Sequence, residues 1–237
     1  LNAVEAARRG ATVMTRTQAV EARRVEGRGH VRLGAGSTVR ARVLVNAAGP
    51  WVHNVLADVI GIDGAKAARR HHVRLVKGSH LVVPRLHGGD HAYILQHTDR
   101  RVVFVLPFEG QYSLIGTTEV AFDGDPGSAM MDPAEAEYLC DVVGTHLKTP
   151  VSPADAVWSF AGVRPLFGED IDDARSLTRD YDLVLDAADG QAPLLSVFGG
   201  KITTYRRLAE QALGKIKPFL PAMGPTWTAT APLPGGD

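Results

Sequence analysis

Phe198-Gly199-Gly200-Lys201-Ile202-Thr203-Thr204-Tyr205-Arg206-Arg207 is the stretch on which the reading of this chain turns. It follows the apolar run Leu194-Leu195-Ser196-Val197 and opens a segment with helical spacing, so it reads as a strand, a tight glycine turn and a helix start. Two residues without side chains let a flat ligand approach the backbone, and the first amides of a helix attract negative charge. Lys201 adds a cation at the same place. The plainer account is a routine strand-to-helix connection with Lys201 merely solvated.

Three other stretches carry chemistry. Ser159-Phe160-Ala161-Gly162-Val163-Arg164-Pro165-Leu166 puts Arg164 directly before a proline, which favours an extended backbone and is expected to hold the side chain at a strand end. A guanidinium there can grip a phosphate or carboxylate through two parallel hydrogen bonds; the alternative is a surface arginine paired with Glu169 or Asp170. In Lys77-Gly78-Ser79-His80-Leu81-Val82-Val83-Pro84, His80 is expected to begin a strand just after a glycine. Histidine titrates near neutrality and can take a hydroxyl proton, though a histidine merely hydrogen-bonded at a strand edge fits equally well. Val45-Asn46-Ala47-Ala48-Gly49-Pro50-Trp51 reads as a strand ending in small residues that permit close packing.

Taken together, these stretches resemble the flavin-dependent glycerol-3-phosphate dehydrogenases, over nearly the whole chain. The resemblance implies FAD as cofactor, with Gly199, Gly200, Ile202 and Thr203 against the isoalloxazine ring, and Ala48, Gly49 and Trp51 beside the cofactor at a strand end. Val20 matches a position whose backbone meets the adenine portion, although a β-branched residue in a strand is ordinarily core. Arg164 is then the residue that orients the substrate phosphate, Lys201 pairs with phosphate or favours the substrate alkoxide, and His80 is the candidate base. The implied reaction oxidises glycerol 3-phosphate to dihydroxyacetone phosphate by hydride transfer to the flavin, with electrons passed on to a membrane quinone. Two alternatives stay open: an amino-acid or amine oxidase of the same flavoprotein superfamily, and a non-catalytic module that binds an anion or a partner protein through the basic segment 66–74.

Composition sets limits. In 237 residues, Lys+Arg and Asp+Glu are each 26, so no overall basic field points to nucleic acid and any anion site must be local. The single cysteine, Cys140, excludes an intrachain disulfide and is expected to pack within a helix. The histidines at 71, 72, 87, 91 and 97 invite a metal site, but Gly88 and Gly89 argue against a helix joining His87 to His91, and a polar hairpin loop is the simpler account; no metal is expected. A cytoplasmic protein, peripheral at the inner face of the cell membrane, follows from the resemblance alone.

The expected fold is α/β, or α+β: an antiparallel substrate-binding sheet with covering helices beside an incomplete, Rossmann-like FAD-binding layer. Residues 1–65 read as the remnant of the FAD-binding domain, 66–198 as the substrate-binding domain, 199–217 as a helix returning to the first, and 218–237 as a linker. Residues 1–9 resemble the back half of a helix leading to a strand at 11–14, and no Gly-x-Gly-x-x-Gly turn for a pyrophosphate occurs. The chain is therefore expected to be an inactive internal fragment whose exposed apolar surface favours a homodimer. Further strands are expected over 17–26, 30–33, 38–46, 79–84, 92–96, 102–107, 112–117, 156–163, 183–187 and 194–198, with glycine turns at 27–29 and 34–36. Helices are expected over 50–60, on Trp51, Val55 and Val59, over 132–146, where Asp132 caps and Glu135 lies three positions on, and over 202–216. Gly116-Thr117-Thr118-Glu119 resembles a loop near the active site and receives no catalytic role.

Overall fold

β1 (Ala19–Val25) and β2 (Arg28–Leu33) form an antiparallel hairpin. Its turn residues Glu26 and Gly27 have φ of 48° and 71°, the left-handed pair whose twist matches that of hairpin strands. β3 (Thr38–Ala41) then pairs with β2. The computed structural model describes residues 1–62, 73–167 and 181–236, and within it the chain divides into two units, Leu1–His72 with Arg179–Asp237, and Val73–Thr178.

In the first unit, the single strand expected over 38–46 is two. β4 (Leu44–Asn46) leaves the hairpin sheet and joins another, because the pattern of apolar residues records that a segment is extended but not which sheet it extends. Close packing brings them together nonetheless: a Cβ on Gly29 would stand 2.6 Å from Leu44 side-chain atoms. A short helix, Asn2–Arg8, opens the chain, but residues 11–14 form no strand and lie exposed, since a strand needs a ladder partner. After β4 the chain coils through a 3-10 turn (Gly49–Trp51), one α turn (Val52–Asn54) and a π segment (Val55–Val59). Its buried residues are Val52 and Leu56, while Trp51 is 41% exposed, so the inward stripe is offset by one position from the one the sequence suggests.

The second unit is a six-stranded sheet, antiparallel throughout: β5 (Val73–Pro84), β6 (Tyr93–Gln96), β7 (Val102–Phe108), β8 (Tyr112–Gly116), β9 (Val120–Ala121) and β10 (Trp158–Phe167), in the order β10-β5-β8-β7-β6 with β9 also on β5. The helix Pro133–His146 covers one face. Asp132 accepts from the Glu135 amide at 3.0 Å and Glu135 accepts from the Asp132 amide at 3.0 Å, the reciprocal cap its sequence foretells. Leu139, Cys140, Val142 and Val143 of this helix pack on Leu81, Val83, Val103, Val105 and Ile115 of the sheet. Alternation along the strands leaves the other face to Gly78, His80 and their neighbours.

β11 (Tyr181–Asp186) and β12 (Leu194–Gly199) are antiparallel, and β12 pairs in parallel with β4. These residues were expected in the 66–198 domain; pairing with β4 builds them into the first unit instead. The helix Tyr205–Ile216 lies on this sheet, with Leu208, Ala212 and Ile216 against Leu183, Leu195 and Val197. Residues after 218, expected as a linker, return to that helix: Thr228 donates to Glu210 at 2.5 Å, and the Arg9 guanidinium sits 4.0 Å over the Trp227 ring. Among the described residues no helix is long and apolar enough to cross a membrane.

Candidate functional site

In the first unit, β4 and β12 run side by side in parallel, with Ser196 opposite Asn46, so both carboxyl ends emerge at the same edge. That edge of a parallel sheet is where open α/β folds bind ligands. Asn46 is buried and shapes the loop beyond it, donating from Nδ2 to the Val52 carbonyl at 2.9 Å and accepting from the Ala48 amide at 3.3 Å. Gly49 has φ of 56°, and a Cβ there would meet nothing within 4 Å, so backbone faces open space. At the end of β12, Gly199 and Gly200 take φ of 72° and 98°. The turn delivers exposed Lys201, Ile202 and Thr203, and Ile202 is 86% exposed at the start of a 3-10 turn that runs into the Tyr205–Ile216 helix. The His53 ring packs on Phe198 with centroids 5.4 Å apart, joining the two loops. Val20 sits at a β-bulge: Ala19 pairs with Leu33 and Glu21 with Arg32, leaving Val20 without an opposite residue on β2.

In the second unit, His80, Arg164 and Thr117 come together on the sheet face away from the helix. His80 and Phe160 are register partners and their rings stack, 4.9 Å apart and 7° from parallel. Gly116, opposite His80 on β8, leaves room for the imidazole, since a Cβ there would approach it to 2.1 Å. Gly78 does the same for Arg164, where a Cβ would lie 2.6 Å from both the guanidinium and the Thr117 hydroxyl. Arg164 donates to Thr117 Oγ1 at 3.0 Å. Burial, and then the positive charge of Arg164, lower the pKa of His80, and its buried Nδ1 has no hydrogen-bond partner among the described residues. The imidazole is therefore neutral at neutral pH and able to accept a proton.

Two placements differ from expectation. His80 lies inside a twelve-residue strand rather than at its start, and Arg164 inside β10 rather than at its end. Pro165 lies in an edge strand, the place in a sheet where a residue without an N–H is tolerated. Glu169 and Asp170, the alternative partners for Arg164, lie outside the described residues, as do 66–72 of the basic segment. The His87 and His91 rings are 5.2 Å apart in a loop and both pack on Tyr93.

Sequence reasoning missed a buried polar cluster behind this face. Lys77 Nζ lies 2.8 Å from Glu135, 3.2 Å from Asp132 and 2.9 Å from the Met130 carbonyl. Glu135 also accepts from Ser79 Oγ at 2.9 Å and Thr118 Oγ1 at 2.6 Å. The hydrogen bond to Glu135, opposed by burial and supported by Asp132, holds the Lys77 pKa above its ordinary value. Lys77 and Ser79, flanking Gly78 on the strand positions that continue as Leu81 and Val83, were the available signal.

The sequence pattern of the FAD-dependent oxidoreductases matches residues 1–206. The chain belongs to that family. Among its relatives, the glycerol-3-phosphate dehydrogenase of Pseudomonas aeruginosa is 48% identical over 100% of this chain and 46% of its own length. The D-erythritol 1-phosphate dehydrogenase of Brucella abortus is 46% identical over 100% of this chain and 47% of its own. A crystal structure of the Bacillus halodurans glycerol-3-phosphate dehydrogenase in complex with FAD superposes with a TM-score of 0.76 at 28% identity, covering 98% of this chain and 44% of that one. The chain spans about half the length of the curated relatives it matches. Family membership accords with the expected mixed fold, in which an antiparallel sheet accompanies a smaller layer with a parallel strand pair.

Proposed function

We propose that this chain is the flavin-side and substrate-side portion of a dehydrogenase that oxidises sn-glycerol 3-phosphate to dihydroxyacetone phosphate. The observation that carries this reading is the grouping of a neutral, half-buried His80 with the Arg164 guanidinium on a sheet face that Gly78 and Gly116 keep open. A phosphate ester of a polyol needs those two functions together: a fixed cation for the dianion and a base for the hydroxyl.

In the first unit, Gly199 and Gly200 would let backbone approach FAD, with Ile202, Thr203 and Lys201 supplying amides and a cation for negative charge, Ala48, Gly49 and Trp51 flanking it, and the unladdered backbone of Val20 available to the adenine portion. When bound, FAD supplies a two-electron acceptor at N5. In the second unit, Arg164 takes the phosphate in a bidentate grip, and His80 receives the proton of the C2 hydroxyl as that carbon is oxidised. A quinone as final acceptor, peripheral attachment at the inner membrane face, a cytoplasmic location and a homodimer belong to the same proposal and rest on the resemblance set out in the sequence analysis. Flotation of the full-length protein with vesicles, with and without a quinone, tests the membrane part.

The central experiment compares the full-length FAD-loaded protein on glycerol 3-phosphate, D-erythritol 1-phosphate, glycerol and small amino acids. Turnover is expected on a phosphate ester, highest on glycerol 3-phosphate, and to fall at least about a hundredfold with Arg164→Ala, since a buried charged hydrogen-bond pair is lost. Preferred turnover of an amine or amino acid overturns the reading.

A further inference from the structure

The guanidinium of Arg164 is not held by its own strand alone. A continuous chain of hydrogen bonds runs to it from the opposite side of the sheet. Lys77 Nζ and the Asp132 amide engage Glu135 Oε2 at 2.8 and 3.0 Å. Glu135 Oε1 accepts from Thr118 Oγ1 at 2.6 Å and from Ser79 Oγ at 2.9 Å, and Thr118 Oγ1 accepts in turn from the Ser79 amide at 2.9 Å. Thr118 is thus pinned to β5 by a buried carboxylate whose two oxygens are both engaged. Its neighbour Thr117 donates Oγ1–H to the Thr118 carbonyl at 3.0 Å, which turns the oxygen lone pairs toward Arg164, 3.0 Å away.

We infer that Thr117, backed by the Glu135–Thr118 pair, is a positioning residue that sets the orientation of the Arg164 fork and so the affinity of the site for a phosphate ester. The inference rests on the assignment of phosphate binding to Arg164. Its logic is steric as well as polar. The bare Cα of Gly78 lets the guanidinium and the Thr117 hydroxyl seat side by side, a Cβ there standing 2.6 Å from each, and that hydroxyl, whose only hydrogen is spent on a backbone carbonyl, presents an acceptor to the fork. A planar fork that must meet two phosphate oxygens at once loses much of its benefit when it can rotate.

The test uses the full-length FAD-loaded protein, and measures by calorimetry the Kd of dihydroxyacetone phosphate, a product that binds without being oxidised. Thr117→Val, nearly isosteric, is expected to raise that Kd about tenfold, and Thr117→Ser, which keeps the hydroxyl, to restore it within about twofold. Thr118→Val should raise it by a smaller factor. In steady state the same Thr117→Val change should appear mainly in KM rather than kcat, and flavin content should not change. Arg164→Lys serves as the control on the underlying assignment and should weaken binding more than any of these. If Arg164→Lys weakens binding while Thr117→Val does not, or if Thr117→Ser is as impaired as Thr117→Val, the positioning role is wrong and the assignment of Arg164 stands. If Arg164→Lys leaves the Kd unchanged, the assignment itself falls, and the inference with it.

Discussion

His80 shows how much a single side chain depends on what surrounds it. In sequence it is one of nine histidines; in the fold it stacks on Phe160, sits over the vacant position at Gly116 and has its pKa lowered by burial and by Arg164. A lowered value means that the neutral base persists to a pH below the usual 6.5 and is lost as pH falls through the folded value. The acid limb of kcat/KM should therefore have its midpoint below that of a free imidazole. Arg164→Met removes one of the two causes, so the His80 midpoint should move upward, toward the ordinary value; NMR titration of the imidazole checks this independently of turnover.

At the scale of elements, the helix Pro133–His146 has two separable supports at its start. Asp132 is a side-chain cap, and Asp132→Ala should cost about 1 kcal/mol, typical of a lost N-cap. Glu135 is both the reciprocal partner in that cap and the nearer, buried counter-charge of Lys77, so Glu135→Ala should cost more, about 3 kcal/mol, because it leaves the buried ammonium only Asp132 at 3.2 Å and the Met130 carbonyl. Urea denaturation of the two variants measures the difference, and equal losses would mean that the pair contributes little. Because the Lys77 pKa is raised, the contribution of the pair is fully present below the ordinary lysine value and fades only as pH climbs through the higher folded value. Elements also bear on the misplaced stripe at 49–59: Trp51 with Val55 and Val52 with Leu56 have the same i, i+4 spacing, so periodicity offers both pairs and packing alone buries Val52 and Leu56.

For the whole molecule, the two units carry different parts of the proposed chemistry, and variants should separate along that line. Gly200→Ala places a Cβ at φ of 98° and 3.3 Å from Leu208, straining the turn proposed to face the flavin. It should reduce bound flavin, read from visible absorbance after gel filtration, with the product Kd of the flavin-containing fraction little changed. Thr117→Val and Arg164→Lys should do the reverse, keeping flavin and losing phosphate-ester affinity. A Gly200→Ala protein with full flavin content would detach the glycine turn from the cofactor.

Local chemistry was legible in the chain itself. The glycine pair before Lys201, the proline-led helix with its cap at Asp132, a hairpin at Gly27, though its turn is Glu26-Gly27 and not 27–29, and most strands follow from residue-by-residue preferences, because turns, caps and alternation are short-range effects. Which strands share a sheet was not legible. Tertiary contact alone split 38–46 between two sheets, set β12 parallel to β4 and grouped 181–198 with the first unit and not with the 66–198 domain, since a strand's own pattern says nothing of its partner's identity. The same limit hid the line from Lys77 through Glu135, Thr118 and Thr117 to Arg164: Thr118 is 17 positions from Glu135 and Thr117 is 47 from Arg164, and only folding brings opposite sides of one sheet within hydrogen-bond reach.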